Sequence, residues 1–89
     1  MLTKDIPIIN RLGLHARAAA KLAKTAGQFS AKIQVKNGDS SADAKSVMSL
    51  MLLAAIRGTT LSVTIEGADE NSAMNAIETL INDRFGEED

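Results

Sequence analysis

Apolar residues recur at two different spacings along this 89-residue chain, and the order of those spacings limits what it can fold into. Alternation of apolar and polar residues predicts strands at residues 2–9, 31–36 and 61–66. Asn37-Gly38 is typical of a tight hairpin turn, which leads into a short polar strand at 40–43. Apolar residues three and four apart predict helices. The helical segments are residues 16–26, which should stop at Gly27, residues 47–56, which should stop at Arg57-Gly58, and the stretch that follows Asp69.

These segments follow one another in the order β-α-β-β-α-β-α, and the strands mostly have one apolar face. We therefore expect one domain, residues 1–89, with the α/β (α+β) architecture of a two-layer open-faced sandwich. Helices would cover one face of the sheet and leave the other open. Pro7 lies within the first strand, and since proline cannot donate a ladder hydrogen bond, that strand should lie at a sheet edge. The last four residues, 86–89, should fray.

The last two helical segments carry further expectations. The side chain of Asp69 should cap the last helix, whose buried stripe is predicted to be Ala73, Ala76, Ile77, Leu80 and Ile81. Residues 47–56 are apolar on nearly every side, and a domain this small cannot bury every side of a helix. Two of these residues are methionines, which suit adaptable contact surfaces. We expect part of the segment to stay exposed for a partner, and burial in the core is the alternative.

Composition excludes several kinds of function. The chain has no cysteine and one histidine, so disulfides, thiolate zinc sites, cysteine nucleophiles and multi-histidine metal sites within one chain are ruled out, and we expect no cofactor. No apolar run reaches the ~20 residues of a membrane span, and no secretion signal is visible, so we expect a cytoplasmic protein without membrane insertion. Residues 1–45 have a net charge of +5 and residues 46–89 of −6, which suggests a basic face for an anionic partner. Nucleic acid is disfavoured because only two aromatic residues are present.

The one histidine, His15, lies in the stretch Gly13-Leu14-His15-Ala16-Arg17, directly before the first helical segment. A helix N-terminus carries free N–H groups and a partial positive charge, so it can bind an anion. Histidine supplies a neutral ring nitrogen near neutral pH, and the Arg17 guanidinium suits phosphate oxygens. One interpretation is a phosphate-accepting histidine, with the phosphate held by Arg17 and by the backbone N–H groups of Ala16 and Arg17. The other is that His15 merely caps the helix or fills a surface niche.

Two further features have both an ordinary and a functional interpretation. Arg17, Lys21 and Lys24 form a basic stripe on the first helix, which is either a solvated face or in part a docking face beside His15. Ser46 fits the N-cap position of the second helix. A phosphate on Ser46 would be tolerated by the helix but would oppose docking of an acidic partner.

Residues 10–19, Asn10-Arg11-Leu12-Gly13-Leu14-His15-Ala16-Arg17-Ala18-Ala19, resemble the active-site signature of the HPr phosphocarriers of the bacterial phosphotransferase system. The helix start at Lys45-Ser46-Val47 and the entry to the last strand at Gly58-Thr59-Thr60 also resemble this family, so the similarity spans nearly the whole chain. Ala18 departs from the family, which usually has proline there. Residues 46–55 and 85–89 resemble the nitrogen-branch relative NPr as much as the sugar-branch HPr.

The resemblance implies a four-stranded antiparallel sheet in the order 1-4-2-3, with three helices on one face. It implies that His15 takes a phosphoryl group at Nδ1 from phosphorylated enzyme I and passes it to EIIA-type proteins, with Arg17 beside the phosphate. It also implies that Ser46 is a target of an HPr kinase/phosphorylase. Such a protein is a carrier and not a stand-alone enzyme, and a monomer is the simple expectation. The partner surface would comprise Leu14, Ala20, Lys24, Val47, Met48 and Met51.

Two other function classes remain as alternatives. One is a purely regulatory binding module that acts through the serine, against which the presence of His15 argues. The other is a small RNA- or ligand-binding α/β sandwich, against which the scarcity of aromatic residues argues in the case of RNA.

Overall fold

A computed structural model describes residues 1–88 of the chain. Four strands, three α-helices and one short 3-10 helix follow one another in the predicted order. Their bounds are β1 Leu2–Pro7, α1 Ala16–Ala26, β2 Lys32–Asn37, β3 Ser40–Asp43, α2 Val47–Leu52, β4 Thr60–Glu66, α3 Glu70–Asn82 and the 3-10 helix Arg84–Gly86. None of the helices in this part of the chain has the length and apolar character needed to cross a bilayer.

The sheet has four antiparallel strands in the order β1-β4-β2-β3, which confirms the predicted fold. β1 is an edge strand, as Pro7 predicted, and Pro7 pairs with Thr60 at the end of the ladder. β1 ends at Pro7 and is two residues shorter than predicted. At the centre of the sheet Val35 lies opposite Val63, and both side chains are fully buried.

One face of each strand builds the core. In β2, Ile33 and Val35 are buried while their neighbours Lys32, Gln34 and Lys36 are exposed. A buried isoleucine or valine contributes about 1.5–3 kcal/mol of hydrophobic stabilisation, so this alternation fixes which face the helices cover. On that face the buried residues of strands and helices form a single core cluster.

α1 has the predicted bounds, and its buried side is made mostly of alanine. Ala18, Ala19, Leu22, Ala23 and Ala26 are buried, and all but Leu22 are small enough to let the helix lie close to its neighbours. The helix ends at Gly27 as predicted, although Gly27 has φ −66° and does not use the left-handed conformation of many glycine caps.

The hairpin turn is displaced by one residue from its prediction. Asn37 and Ser40 form the closing pair, so the two turn residues are Gly38 and Asp39. Gly38 has the positive φ that a two-residue turn of this kind needs at its first position. Asn37 instead remains in β2, and its side-chain amide donates to the Leu53 carbonyl oxygen at 2.9 Å.

α2 ends four residues earlier than predicted. Its last turn tightens, since the N–H of Leu53 donates to Leu50 and that of Ala54 donates to Met51. Ala54 then takes φ 51°, which turns the chain out of the helix. As a result, the Ala55 carbonyl oxygen accepts a 2.8 Å hydrogen bond from the N–H of Leu14. The early end of α2 therefore ties this segment to the loop that carries His15.

Asp69 is the N-cap residue of α3, as predicted, but its side chain does not make the expected cap hydrogen bond. Its carboxylate instead accepts the backbone N–H groups of Ser30 and Ala31, at 2.8 and 2.9 Å. The buried face of the helix also differs from the predicted stripe: Met74 is buried, whereas Ala76 and Leu80 are only partly buried. The remaining residues of that face are Ala73, Ile77 and Ile81.

The C-terminal end is ordered where fraying was expected. Phe85 is fully buried, and the Glu87 side chain is only 15% exposed. Asp89, the last residue of that prediction, lies outside the described residues. The expectation of a frayed tail is therefore wrong up to Glu87, which lies against His15.

Candidate functional site

His15 is the N-cap residue of α1. Its backbone is extended, with φ −80° and ψ 179°, and its carbonyl oxygen accepts the N–H of Ala19 at 2.8 Å. The imidazole makes no cap hydrogen bond to the helix, and the side chain is 26% exposed. The ring is thus placed at the positive end of the helix without being used to cap it.

The loop before His15 is held by close backbone contacts. Gly13 has φ +67°, and a Cβ atom there would lie 2.6 Å from the Ala55 carbonyl oxygen. Any other residue at this position would be strained both in backbone conformation and in contact. Together with the Leu14–Ala55 hydrogen bond, this close approach fixes where the chain enters α1.

Asn10 is a fully buried polar residue in the same loop. Its Nδ2 group donates to the Gly13 carbonyl oxygen at 2.8 Å and to Glu87 Oε1 at 2.9 Å. Its Oδ1 atom has no hydrogen-bond partner among the described residues. Both amide hydrogens of Asn10 therefore hold the site loop and the C-terminal end together.

Glu87 makes the closest polar contact to the histidine, through Oε2 to His15 Nε2. Burial raises the pKa of Glu87, but hydrogen bonds from Asn10 and His15 and the nearby charges of His15 and Lys21 outweigh burial. The pKa of Glu87 therefore lies below its usual value, and the side chain is a carboxylate at neutral pH. No sequence pattern indicated this contact, because 72 residues separate the two partners.

The segment that carries Glu87 is anchored at two points. Phe85 inserts into the core, and Lys21 Nζ donates to its carbonyl oxygen at 2.7 Å. Arg84 and Phe85 both have positive φ, 55° and 54°, a conformation that non-glycine residues adopt only at a cost of about 1–2 kcal/mol each. Burial of Phe85 offsets this cost. Lys21 of the basic stripe thus has a structural role.

An open cleft of about 440 Å³ lies beside the imidazole, and its other walls are formed by Arg11, Leu12, Ala16, Arg17, Glu87 and Glu88. The N–H groups of Ala16 and Arg17 belong to the first turn of α1, where backbone donors have no intrahelical acceptor. Arg17 is exposed. The structure therefore brings together the three groups that the sequence suggested for a phosphate site: the ring, the helix terminus and the guanidinium.

An apolar surface lies on and after α2. Met48 is 71% exposed and Met51 is 42% exposed, while Val47 is half-buried. Leu52 and Ile56 are also largely exposed, although neither was predicted for the partner surface. Exposed apolar side chains on this scale are typical of an interaction site.

The predicted partner-surface residues outside α2 differ in exposure. Ala20 and Lys24 on α1 are exposed. Leu14 is only 5% exposed and packs in the core. The Leu14 side chain thus contributes to the position of the loop and offers little surface to a partner.

Ser46 is the N-cap of α2, as predicted. Its hydroxyl oxygen accepts the N–H of Ser49 at 3.3 Å, and the same hydroxyl donates to Ser49 Oγ at 3.1 Å. The residue is half-buried. The structure therefore shows the ordinary capping role, and its modification stays a prediction.

Within residues 1–88, no three His, Cys, Asp or Glu side chains are grouped as metal ligands would be. The candidate site is thus built from an imidazole, a carboxylate, a guanidinium and backbone N–H groups.

Comparison with known proteins identifies the class to which this fold and site belong. Residues 2–83 match the family described as "PTS HPr component phosphorylation site". The chain belongs to the HPr family of phosphocarrier proteins of the phosphotransferase system.

Individual relatives agree with this assignment. The chain is 51% identical over 87 residues to the phosphocarrier protein HPr of Neisseria meningitidis, covering 98% of each sequence. It is 50% identical over 84 residues to the phosphocarrier protein HPr of Pseudomonas aeruginosa, covering 93% of each. Among solved structures, HPr of Thermoanaerobacter tengcongensis superposes with a TM-score of 0.95 at 41% identity, covering 99% of both chains.

Proposed function

We propose that this protein is a cytoplasmic phosphocarrier that receives a phosphoryl group on His15 Nδ1 from phosphorylated enzyme I and passes it to EIIA-type proteins. It acts as a monomeric carrier that takes part in the transfer and not as a stand-alone enzyme. Half-identical relatives that carry the name HPr support a general carrier over a nitrogen-branch protein.

The observation that carries this proposal is an imidazole that lies at the start of α1 without capping the helix. A histidine that merely capped the helix would accept an N–H of the first turn, and His15 does not. Its ring lies instead at an open cleft next to Ala16 and Arg17. This arrangement favours the phosphate-accepting interpretation over the capping one.

The transfer itself needs little from the protein beyond position and charge. The lone pair of Nδ1 forms the new N–P bond while the N–P bond of the donor's phosphohistidine breaks, and that bond's electron pair returns to the donor nitrogen. The N–H groups of Ala16 and Arg17 and the Arg17 guanidinium stabilise the phosphate charge. Because the cleft is open, the phosphate stays accessible to the next acceptor.

Docking of both partners is assigned to the apolar surface on α2, with Ala20 and Lys24 on α1 beside it. Met48 and Met51 offer flexible apolar contacts to partners of different shape. Phosphorylation of Ser46 by an HPr kinase/phosphorylase would add about −1.5 to −2 charges to the edge of this surface and weaken docking.

The proposal is tested by incubating the protein with enzyme I, phosphoenolpyruvate and magnesium and measuring its intact mass. The expected product carries one acid-labile phosphoryl group, which His15→Ala lacks while keeping the wild-type circular dichroism spectrum. An unphosphorylated wild-type protein, next to a control HPr that is labelled by the same enzyme I, would contradict the proposal.

A further inference from the structure

Glu87 contacts Nε2 of His15, the ring nitrogen that is not assigned to attack. Neither the proposed transfer nor the docking surface explains this contact. The Oε2 atom of Glu87 makes it, and the other oxygen, Oε1, accepts Asn10 Nδ2 at 2.9 Å. The carboxylate therefore has two donors directed at it, and only 15% of the side chain is exposed, at the wall of the cleft.

The orientation of the Asn10 amide is fixed by its partners. Nδ2 faces two oxygens, those of Gly13 and Glu87, so its two hydrogens are both used. The reversed amide would direct Oδ1 at two other acceptors. Asn10 therefore donates to the Glu87 carboxylate, which favours the ionised form of Glu87.

An ionised carboxylate only accepts hydrogen bonds, so the hydrogen between Glu87 and His15 belongs to Nε2. In a neutral imidazole, one nitrogen carries the hydrogen and the other keeps a lone pair. A hydrogen on Nε2 leaves the lone pair on Nδ1, the nitrogen assigned to attack.

We infer that Glu87 is a positioning residue for phosphoryl transfer, which holds the His15 ring with its hydrogen on Nε2 and its lone pair on Nδ1. This inference rests on the proposed function. It extends that function because Glu87 would also face the positive charge that the ring gains when Nδ1 bonds to phosphorus. The Nε2 hydrogen stays in place throughout, so no proton has to move in the transfer.

The C-terminal segment, residues 84–87, is anchored so that Glu87 reaches the His15 ring. Phe85 is fully buried and Lys21 holds its carbonyl oxygen, which places Glu87 two residues further on at the ring. The positive φ values of Arg84, Phe85 and Gly86 turn the chain back toward α1. Glu88, the next residue, is exposed and also lines the cleft beside the ring, whereas Glu66 is an exposed carboxylate outside it.

The experiment compares wild type, Glu87→Ala, Glu87→Gln and the matched control Glu66→Ala, which removes an exposed carboxylate from the last residue of β4. NMR spectra of ¹⁵N-histidine-labelled protein at alkaline pH, where imidazole is neutral, report which nitrogen carries the hydrogen. We expect wild type and Glu66→Ala to show a slowly exchanging hydrogen on Nε2. Glu87→Ala should lose that signal and show a mixture of both ring forms. The Nε2 hydrogen signal of Glu87→Gln should be intermediate. The glutamine amide has a single acceptor oxygen for two donors, Asn10 Nδ2 and His15 Nε2.

Rates of phosphorylation by enzyme I provide the second readout. We expect Glu87→Ala to be phosphorylated about tenfold more slowly than wild type, the effect of one hydrogen bond to a charged group. Glu66→Ala should stay within about twofold, in line with a small effect of an exposed charge away from the cleft.

Three results would overturn the inference: a wild-type ring with its hydrogen on Nδ1, unchanged ring spectra in Glu87→Ala, or equal phosphorylation rates of Glu87→Ala and wild type. A wild-type protein that takes up no phosphate at all would overturn the proposed function and, with it, the role of Glu87. The NMR comparison would then still decide whether the hydrogen bond exists, so the two failures can be distinguished.

Discussion

Gly13 and Ala55 approach each other so closely that a Cβ atom on Gly13 would lie 2.6 Å from the Ala55 carbonyl oxygen. This contact joins the loop before His15 to the segment after α2. The importance of this contact can be measured, because Gly38 has a similar positive φ, +60° against +67°, with open space around its Cβ position.

We therefore expect Gly13→Ala to destabilise the protein more than Gly38→Ala. Gly38→Ala should cost about 1 kcal/mol, the penalty of alanine in a left-handed conformation. Gly13→Ala should cost about 1–3 kcal/mol more, because the Ala55 backbone must also shift. Urea denaturation of both variants measures the difference. Equal losses would show that the Ala55 contact is unimportant.

The Asp69 carboxylate gives a prediction for acid stability. Its pKa is lowered chiefly by the hydrogen bond from the Ser30 backbone N–H, against burial, which raises it, and with further help from the Ala31 N–H. A lowered folded-state pKa means that this stabilisation is present above the carboxyl's ordinary value and is lost as pH falls through the lowered value. Asp69→Asn should thus be less stable than wild type at pH 7, with the difference shrinking in acid.

Denaturation curves at several pH values test this expectation. Asp39→Asn is a suitable control, since Asp39 is exposed in the hairpin turn. A stability difference between wild type and Asp69→Asn that stayed constant from neutral to acidic pH would rule out the proposed linkage.

Because Ser46 is the N-cap of α2, two substitutions at this residue can distinguish an effect on folding from an effect on docking. Ser46→Ala should cost about 0.5–2 kcal/mol through loss of the cap to Ser49. Ser46→Asp keeps an acceptor at the cap, so its stability should stay near wild type. Its phosphorylation by enzyme I should nevertheless slow, because a negative charge is added beside Val47 and Met48.

Ser72→Asp is the control for charge alone, because Ser72 is exposed on α3, a different helix from the one that carries the docking surface. Measured rates that are equal for wild type and Ser46→Asp would remove the basis for a switch at Ser46.

A substitution of Met48 tests whether the apolar surface on α2 is the docking surface. Its side chain is 71% exposed, so Met48→Lys should change the free energy of unfolding by no more than about 0.5 kcal/mol. The KM for enzyme I phosphorylation should rise, since a charge replaces an apolar contact. Gln34→Lys, on the open face of the sheet, should leave the KM unchanged. A KM that rises equally in both variants would point to net charge instead of docking.

The parts of the fold that could be predicted from sequence are those set by local periodicity. The alternation in β2 and β4 and the alanine-rich stripe of α1 determine which side is buried whatever the neighbours are. Pro7 indicated that β1 lies at an edge because proline lacks the backbone N–H that a central strand needs for pairing on both sides. In these elements the side-chain pattern alone contains the needed information.

The parts that could not be predicted depend on distant partners. The end of α2 is set by Ala54 and by the contact of Ala55 with the His15 loop, while the apolar pattern continues to Ile56. The Asp69 side chain binds the backbone of Ser30 and Ala31 rather than the first turn of its own helix. Glu87 lies in a short acidic tail for which fraying was expected, and burial of Phe85 with the Lys21 hydrogen bond places it at His15.

The central claim is that His15 accepts phosphate at Nδ1, and the most direct measurement is the ³¹P and ¹⁵N spectrum of the phosphorylated, ¹⁵N-histidine-labelled protein. Coupling between phosphorus and a ring nitrogen identifies the bonded atom. We predict coupling to Nδ1, with a hydrogen still on Nε2. Phosphorus bonded to Nε2, or to a residue other than His15, would contradict the account.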